Sequence, residues 1–172
     1  MKRNSLLLLL LLSIILMSCN KSDDATGIKE SVEYIVHENS ALKISENDFG
    51  TFVEVIDGDK LVFEYTYSKA SDPELADSGL DKYLYFELAA NTEDFQLTTN
   101  DFDVSNTYLR RSCFCPITDF RRATSGEITA QKIGKMKWNI SFDVTADITI
   151  NEGEEEFAES IKFEDSGIFQ PQ

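Results

Sequence analysis

The feature that most constrains this chain is a two-residue alternation of apolar side chains. Met136, Trp138, Ile140, Phe142 and Val144 alternate with Lys137, Asn139, Ser141 and Asp143. In an extended strand successive side chains point to opposite faces, so this run lays one apolar face against a core and one polar face toward water. Leu61, Phe63, Tyr65 and Tyr67 repeat the pattern with Val62, Glu64, Thr66 and Ser68 between them. Residues 52–56 form a shorter run just upstream, and Asp57-Gly58-Asp59 between the two predicts a tight hairpin. Gly134-Lys135 predicts a second hairpin, joining 127–133 to 136–145, and Asn151-Glu152-Gly153-Glu154 a third, leading into 157–163. Further strands are expected at 32–37, 82–89, 95–99 and 107–115. One segment reads as a short helix, with Asp72 as its N-cap, Pro73 at its first position and Gly79 as its stop. About 8–10 short strands at this spacing imply an all-β fold, an antiparallel sandwich or barrel with at most one short helix. Periodicity does not say whether the sheet closes on itself.

The first thirty residues follow a different pattern. Lys2 and Arg3 precede an unbroken leucine run, Leu6 to Leu12, which Ser13, Ile14, Ile15, Leu16 and Met17 extend. An apolar stretch of about a dozen residues falls short of the roughly 20 needed to cross a bilayer. It fits the apolar region of a signal peptide, residues 1–18. The stretch ends in Leu16-Met17-Ser18-Cys19, which resembles the lipobox of bacterial lipoproteins. That resemblance implies a lipid on the Cys19 thiol, cleavage just before it, and no cofactor beyond this covalent lipid. Two or more acyl chains make such an anchor stable. Residues 19–30 are polar and lack apolar periodicity, as a flexible acidic tether does. Within them, Ser22-Asp23-Asp24 is similar to the export signal that sends Bacteroidota lipoproteins to the cell surface. The segments Ser125-Gly126-Glu127-Ile128-Thr129, Trp138-Asn139-Ile140-Ser141-Phe142 and Phe163-Glu164-Asp165-Ser166-Gly167-Ile168-Phe169 resemble small β-rich lipoproteins of the same group. This likeness implies class and an outer-membrane location, and it carries no catalytic residue across.

Residues 31–172 are expected to form a single β domain. Removing residues 1–18 from the 172 leaves 154, enough to bury about two-thirds of the unfolded chain's surface. The removed segment holds two basic residues and no acidic one, which takes the net charge from −15 to −17. A charge of that sign disfavours nucleic acid, whose phosphates require a basic face, and disfavours lying flat on anionic lipid. Acid–base and metal chemistry that depends on imidazole is limited to one histidine, His37, on a strand face shared with Glu33. No nucleophile–base pair is visible, so a non-enzymatic binding module for a glycan or protein partner is the leading expectation. A structural or assembly accessory of the outer membrane is the alternative.

Three constellations carry the candidate site residues. Arg110, Arg111, Arg121 and Arg122 are all the arginines after residue 18. Guanidinium forks suit carboxylate, sulfate or phosphate, but the surplus of surface carboxylates offers the same arginines ordinary ion pairs. In a strand, Arg110 and Arg111 point to opposite faces. Cys113 and Cys115 point the same way, and three readings stay open: a Cys-x-Cys disulfide, two buried thiols, or a soft-metal or exchange site. Two sulfurs are too few for zinc, and the Cys-x-x-Cys spacing of redox motifs is absent. Finally, Tyr83 and Tyr85 with Glu87 form the face of 82–89 opposite Leu84, Phe86 and Leu88. With Tyr65 or Tyr67 they would make an aromatic platform of the kind on which sugar rings stack. The same rings would equally serve as a cross-strand pair that only stabilises the sheet. Asp57-Gly58-Asp59 and Asp101-Phe102-Asp103 offer carboxylates, but no twelve-residue calcium loop is present. Among 31 acidic residues, no pair for glycoside hydrolysis can be singled out.

Overall fold

A computed structural model describes residues 29–72, 78–113, 119–152 and 155–172. Among the described residues ten strands follow one another: β1 (Glu30–Asn47), β2 (Gly50–Asp57), β3 (Lys60–Lys69), β4 (Leu80–Ala89), β5 (Phe95–Thr98), β6 (Tyr108–Ser112), β7 (Arg121–Arg122), β8 (Ser125–Gly134), β9 (Lys137–Glu152) and β10 (Glu155–Phe169). A single 3-10 turn at Thr99–Asp101 is the one helical element among the described residues. The helix expected at 72–79 rests on residues 73–77, which lie outside them. The strands form two antiparallel sheets, a large one in the order β2-β1-β3-β4-β6-β7 and a small one in the order β10-β9-β8-β5. The fold is therefore an all-β sandwich.

The alternation in the sequence determines which faces meet. Leu61, Phe63 and Tyr65 of β3, Leu84 and Phe86 of β4, and Leu109 of β6 pack against Ile128 of β8, Trp138, Ile140, Phe142 and Val144 of β9, and Phe163 of β10. Phe63 stands at the centre. Its ring stacks on Phe86 with centroids 4.8 Å apart and meets Trp138 edge-on at 5.4 Å. The buried Trp138 indole N–H donates to the Glu93 carbonyl at 3.0 Å, so its polar end is satisfied. The hairpin expected around Gly134 is present, with Lys135 and Met136 at its tip and Met136 at a φ of 53°. The hairpin expected near Gly153 joins β9 to β10, with Glu155 paired to Glu152.

The Asp57-Gly58-Asp59 hairpin does not form. β2 and β3 do not pair with each other. Both run antiparallel to β1, with β2 along its C-terminal half and β3 along its N-terminal half. The chain reverses earlier, at Asp48-Phe49, so β1 extends ten residues past His37 to Asn47. Asp57-Gly58-Asp59 instead bridges the two partners of β1 opposite an irregularity between His37 and Ser40. There Asn39 adopts a φ of 50°, which asparagine tolerates better than most residues, and its carbonyl accepts from the Gly58 N–H at 2.9 Å.

This irregularity lets the hairpin of β2 and the end of β1 fold over the large sheet's second face. The Leu42 N–H donates to Glu87 Oε2 at 2.8 Å, and the Phe120 N–H donates to the Thr51 carbonyl at 3.0 Å. Gly50, with a φ of +114°, lets the Asp119 side chain lie where a Cβ would sit. Leu42, Val62, Tyr108 and Phe120 are buried here, away from the main core. The seam between the sheets is closed by the last residues of the chain. Gln170 bridges to Ile35 of β1, and the Tyr34 hydroxyl donates to the Ser166 carbonyl at 3.2 Å. Gly167 has no side chain because the Tyr34 ring occupies that space.

Candidate functional site

The second face of the large sheet carries the polar and aromatic side chains singled out by the sequence. Strand parity places Val62, Glu64 and Thr66 of β3 there, with Tyr83, Tyr85 and Glu87 of β4 and Tyr108 and Arg110 of β6. Tyr83 and Tyr85 thus lie opposite the main core, as the alternation requires. Tyr65 does not join them. It aligns with Leu84, is buried in the main core and packs edge-on against Phe142 at 5.0 Å. Tyr67, paired with Lys82, shares that parity and packs at the core's margin.

The two tyrosines are half-buried and held by neighbours. The Tyr85 hydroxyl donates to Glu64 Oε1 at 2.7 Å, and its ring lies 5.6 Å from that of Phe120. Burial, reinforced by the Glu64 carboxylate, raises the Tyr85 phenol far above its ordinary value, so it stays a hydrogen-bond donor. Tyr83 is raised too, by burial first and then by Asp81. The Arg110 guanidinium lies 5.5 Å from the ring centroids of both Tyr83 and Phe120, a cation between two aromatic rings. His37 Nε2 lies 2.7 Å from Glu64 Oε2, so the histidine pairs across to β3 and not along its own strand to Glu33. Both Glu64 oxygens are therefore engaged, one by His37 and one by Tyr85.

Glu87, at the end of this face, is 3% exposed and ties three elements together. Its carboxylate accepts from the Leu42 N–H, from Lys60 Nζ at 2.6 Å and from the Asn106 amide at 2.7 Å. Burial alone would raise the Glu87 carboxyl. Its three donors outweigh that and hold it below the usual carboxylate range.

The four arginines do not converge on one point. Arg110 stays on the aromatic face. Arg111 crosses to Glu159 of β10, Arg121 pairs with Asp119 at 3.0 Å, and Arg122 pairs with Asp103 while donating to the Tyr108 hydroxyl at 2.7 Å. Cys113 follows β6 directly and is engaged in a disulfide. Cys115 and Cys19 lie outside the described residues. Among the described residues no group of three or more His, Cys, Asp or Glu is arranged to hold a metal ion.

Sequence reasoning missed Phe120 and Glu64. Phe120 belongs to no alternating run. Glu64 sits in a strand whose parity was visible, but its partners His37 and Tyr85 lie 27 and 21 residues away. No family model, no curated protein and no solved structure matches this chain.

Proposed function

We propose that this chain is a lipid-anchored cell-envelope protein, displayed at the outer membrane, whose β domain is a non-enzymatic binding module. The observation that carries the binding reading is the half-buried Tyr83 ring and Arg110 guanidinium set against the buried Phe120 ring, beside Glu64, on a face the main core does not use. Rings with adjacent hydroxyl and carboxylate acceptors suit a glycan, whose pyranose faces stack and whose hydroxyls donate. Engagement of both Glu64 oxygens within the fold supports a binding role over a general base. In a thermal-shift screen, a glycan at 100 times its dissociation constant should add about 2.7 kcal/mol to the folded state. Tyr83→Ala should abolish that rise. An undiminished rise in the variant would move the ligand elsewhere, and no rise with any glycan would remove the glycan reading.

The anchor rests on the sequence of residues 1–24. Cys19→Ala should abolish incorporation of labelled fatty acid, and continued labelling of that variant would refute the anchor. A protein partner is the second reading, and it draws on a specific feature. Phe49 at the hairpin tip is 86% exposed, and Phe52 and Ile56 on one face of β2 are each 42% exposed. Apolar side chains grouped at a sheet edge suit an assembly contact in the envelope.

A further inference from the structure

We infer that the open end of the sandwich holds a second binding site, independent of the ring face, for small apolar molecules bearing a protonated amine. A cleft of about 430 Å³ lies where the ends of β3 and β4 meet β5 and the loop after the 3-10 turn. That volume is within the range of small-molecule sites. Leu88 and Leu97 supply its apolar lining and belong to or pack against the main core. One wall is a loop tied to β4 by two hydrogen bonds: the Glu87 N–H donates to the Ser105 carbonyl at 2.8 Å, and the Asn106 amide donates to Glu87 Oε1. That wall presents Val104, a β-branched apolar side chain 83% exposed beside the cleft. A ligand body resting on Leu88 and Leu97 would cover Val104 and remove it from water.

Charge selects the head group. Asp59, Glu87 and Asp101 line the cleft against a single ammonium, Lys60. Lys60 is already paired with Glu87 at 2.6 Å, and Asp101 accepts from Thr98. Asp59 is exposed at the cleft and has no hydrogen-bond or ion-pair partner among the described residues, so a ligand's ammonium competes there only with water. An anionic head would meet two surplus carboxylates, and a cationic one would offset one of them. The geometry therefore rejects fatty acids and accepts amines of similar body, a discrimination built from repulsion as much as attraction.

The test is a matched series on the mature chain, residues 19–172, carrying Cys19→Ser so that no detergent is needed. Cyclohexylmethylammonium, cyclohexylmethanol and cyclohexanecarboxylate share one body and differ in head charge. Methyl NMR should show saturable shifts at Leu88, Leu97 and Val104 with the amine, at least about tenfold tighter than with the carboxylate. Asp59→Asn should narrow the gap between amine and alcohol. Ala90→Trp, placed in the exposed turn at the cleft mouth, should abolish the shifts while leaving Ile128 and Ile161 methyls in place as a folding control. Equal binding of carboxylate and amine would overturn the inference. So would unsaturable shifts spread over the surface, or shifts that survive Ala90→Trp. None of these outcomes bears on the Tyr83 face, which the glycan screen tests separately.

Discussion

Replacing Phe63 by alanine is expected to cost about 3–5 kcal/mol, the range for deleting a fully buried aromatic ring. Phe63 has no exposed surface and touches the rings of Phe86, Phe95, Trp138 and Phe169, drawn from both sheets. Its loss opens a cavity between the sheets. It also removes aromatic contacts worth about 0.5–1.5 kcal/mol each beyond their area. For a domain of this size a loss of 1 kcal/mol lowers Tm by about 2–4 °C, so a fall on the order of 10 °C or more should follow. Phe63→Leu, which keeps much of the volume, should lose far less. Thermal melts followed by circular dichroism and by Trp138 fluorescence give both numbers. A Phe63→Ala loss under about 1 kcal/mol would mean the ring is not the centre of the core.

The second large effect belongs to Glu87. Glu87→Ala should destabilise the fold by about 2–4 kcal/mol, because it strips a buried backbone N–H, an ammonium and an amide of their acceptor at once. Lys60 is 40% exposed and regains water, which keeps the loss below that of a fully buried ion pair. The same group makes stability depend on pH. Its folded-state carboxyl lies below the ordinary value, despite burial, because of Lys60, Leu42 and Asn106. Its contribution is therefore complete above the unfolded carboxyl value of about 4.3 and is lost as pH falls through the depressed one. The stability gap between the parent and Glu87→Gln should hold steady above about pH 5 and close below about pH 4. Urea unfolding at stepped pH measures it, and a gap that widened on acidification would reverse the assignment.

The strands were legible in the sequence because their signal is local. Trp138, Ile140, Phe142 and Val144 alternate so strictly that their burial could be written down from spacing alone. The same parity separated Tyr83 and Tyr85 from Leu84 and Phe86. The misreading at Asp57-Gly58-Asp59 has a physical cause. An Asp-Gly pair supplies the flexibility of a hairpin turn and of a bridge between two collinear strands alike, and the choice is made by Asn39 and Ser40, residues with no apolar pattern. The fold of the hairpin over the second face was hidden for the same reason. It is held by Glu87 reaching Leu42 and by Asp119 and Phe120 reaching Thr51, contacts between side chains and strands distant in sequence. The arginines were visible as a cluster, but their separation among Glu159, Asp119, Asp103 and two rings depends on strand positions that periodicity does not order.

The seam at Gln170 has a consequence for how the chain acquires its shape. Tyr34 sits in the first strand, and its hydroxyl partner is 132 residues downstream, three residues before β10 ends. The backbone bonds joining Tyr34 and Val36 to Gln170 span 136 and 134 residues of chain. The first strand therefore gains its last partner only after residue 170 has been made. Pairings of such long sequence separation form slowly, because the intervening chain must surrender its freedom before the contact returns anything. A nascent chain of this design stays unclasped at this seam until Gln170 is free to reach the first strand.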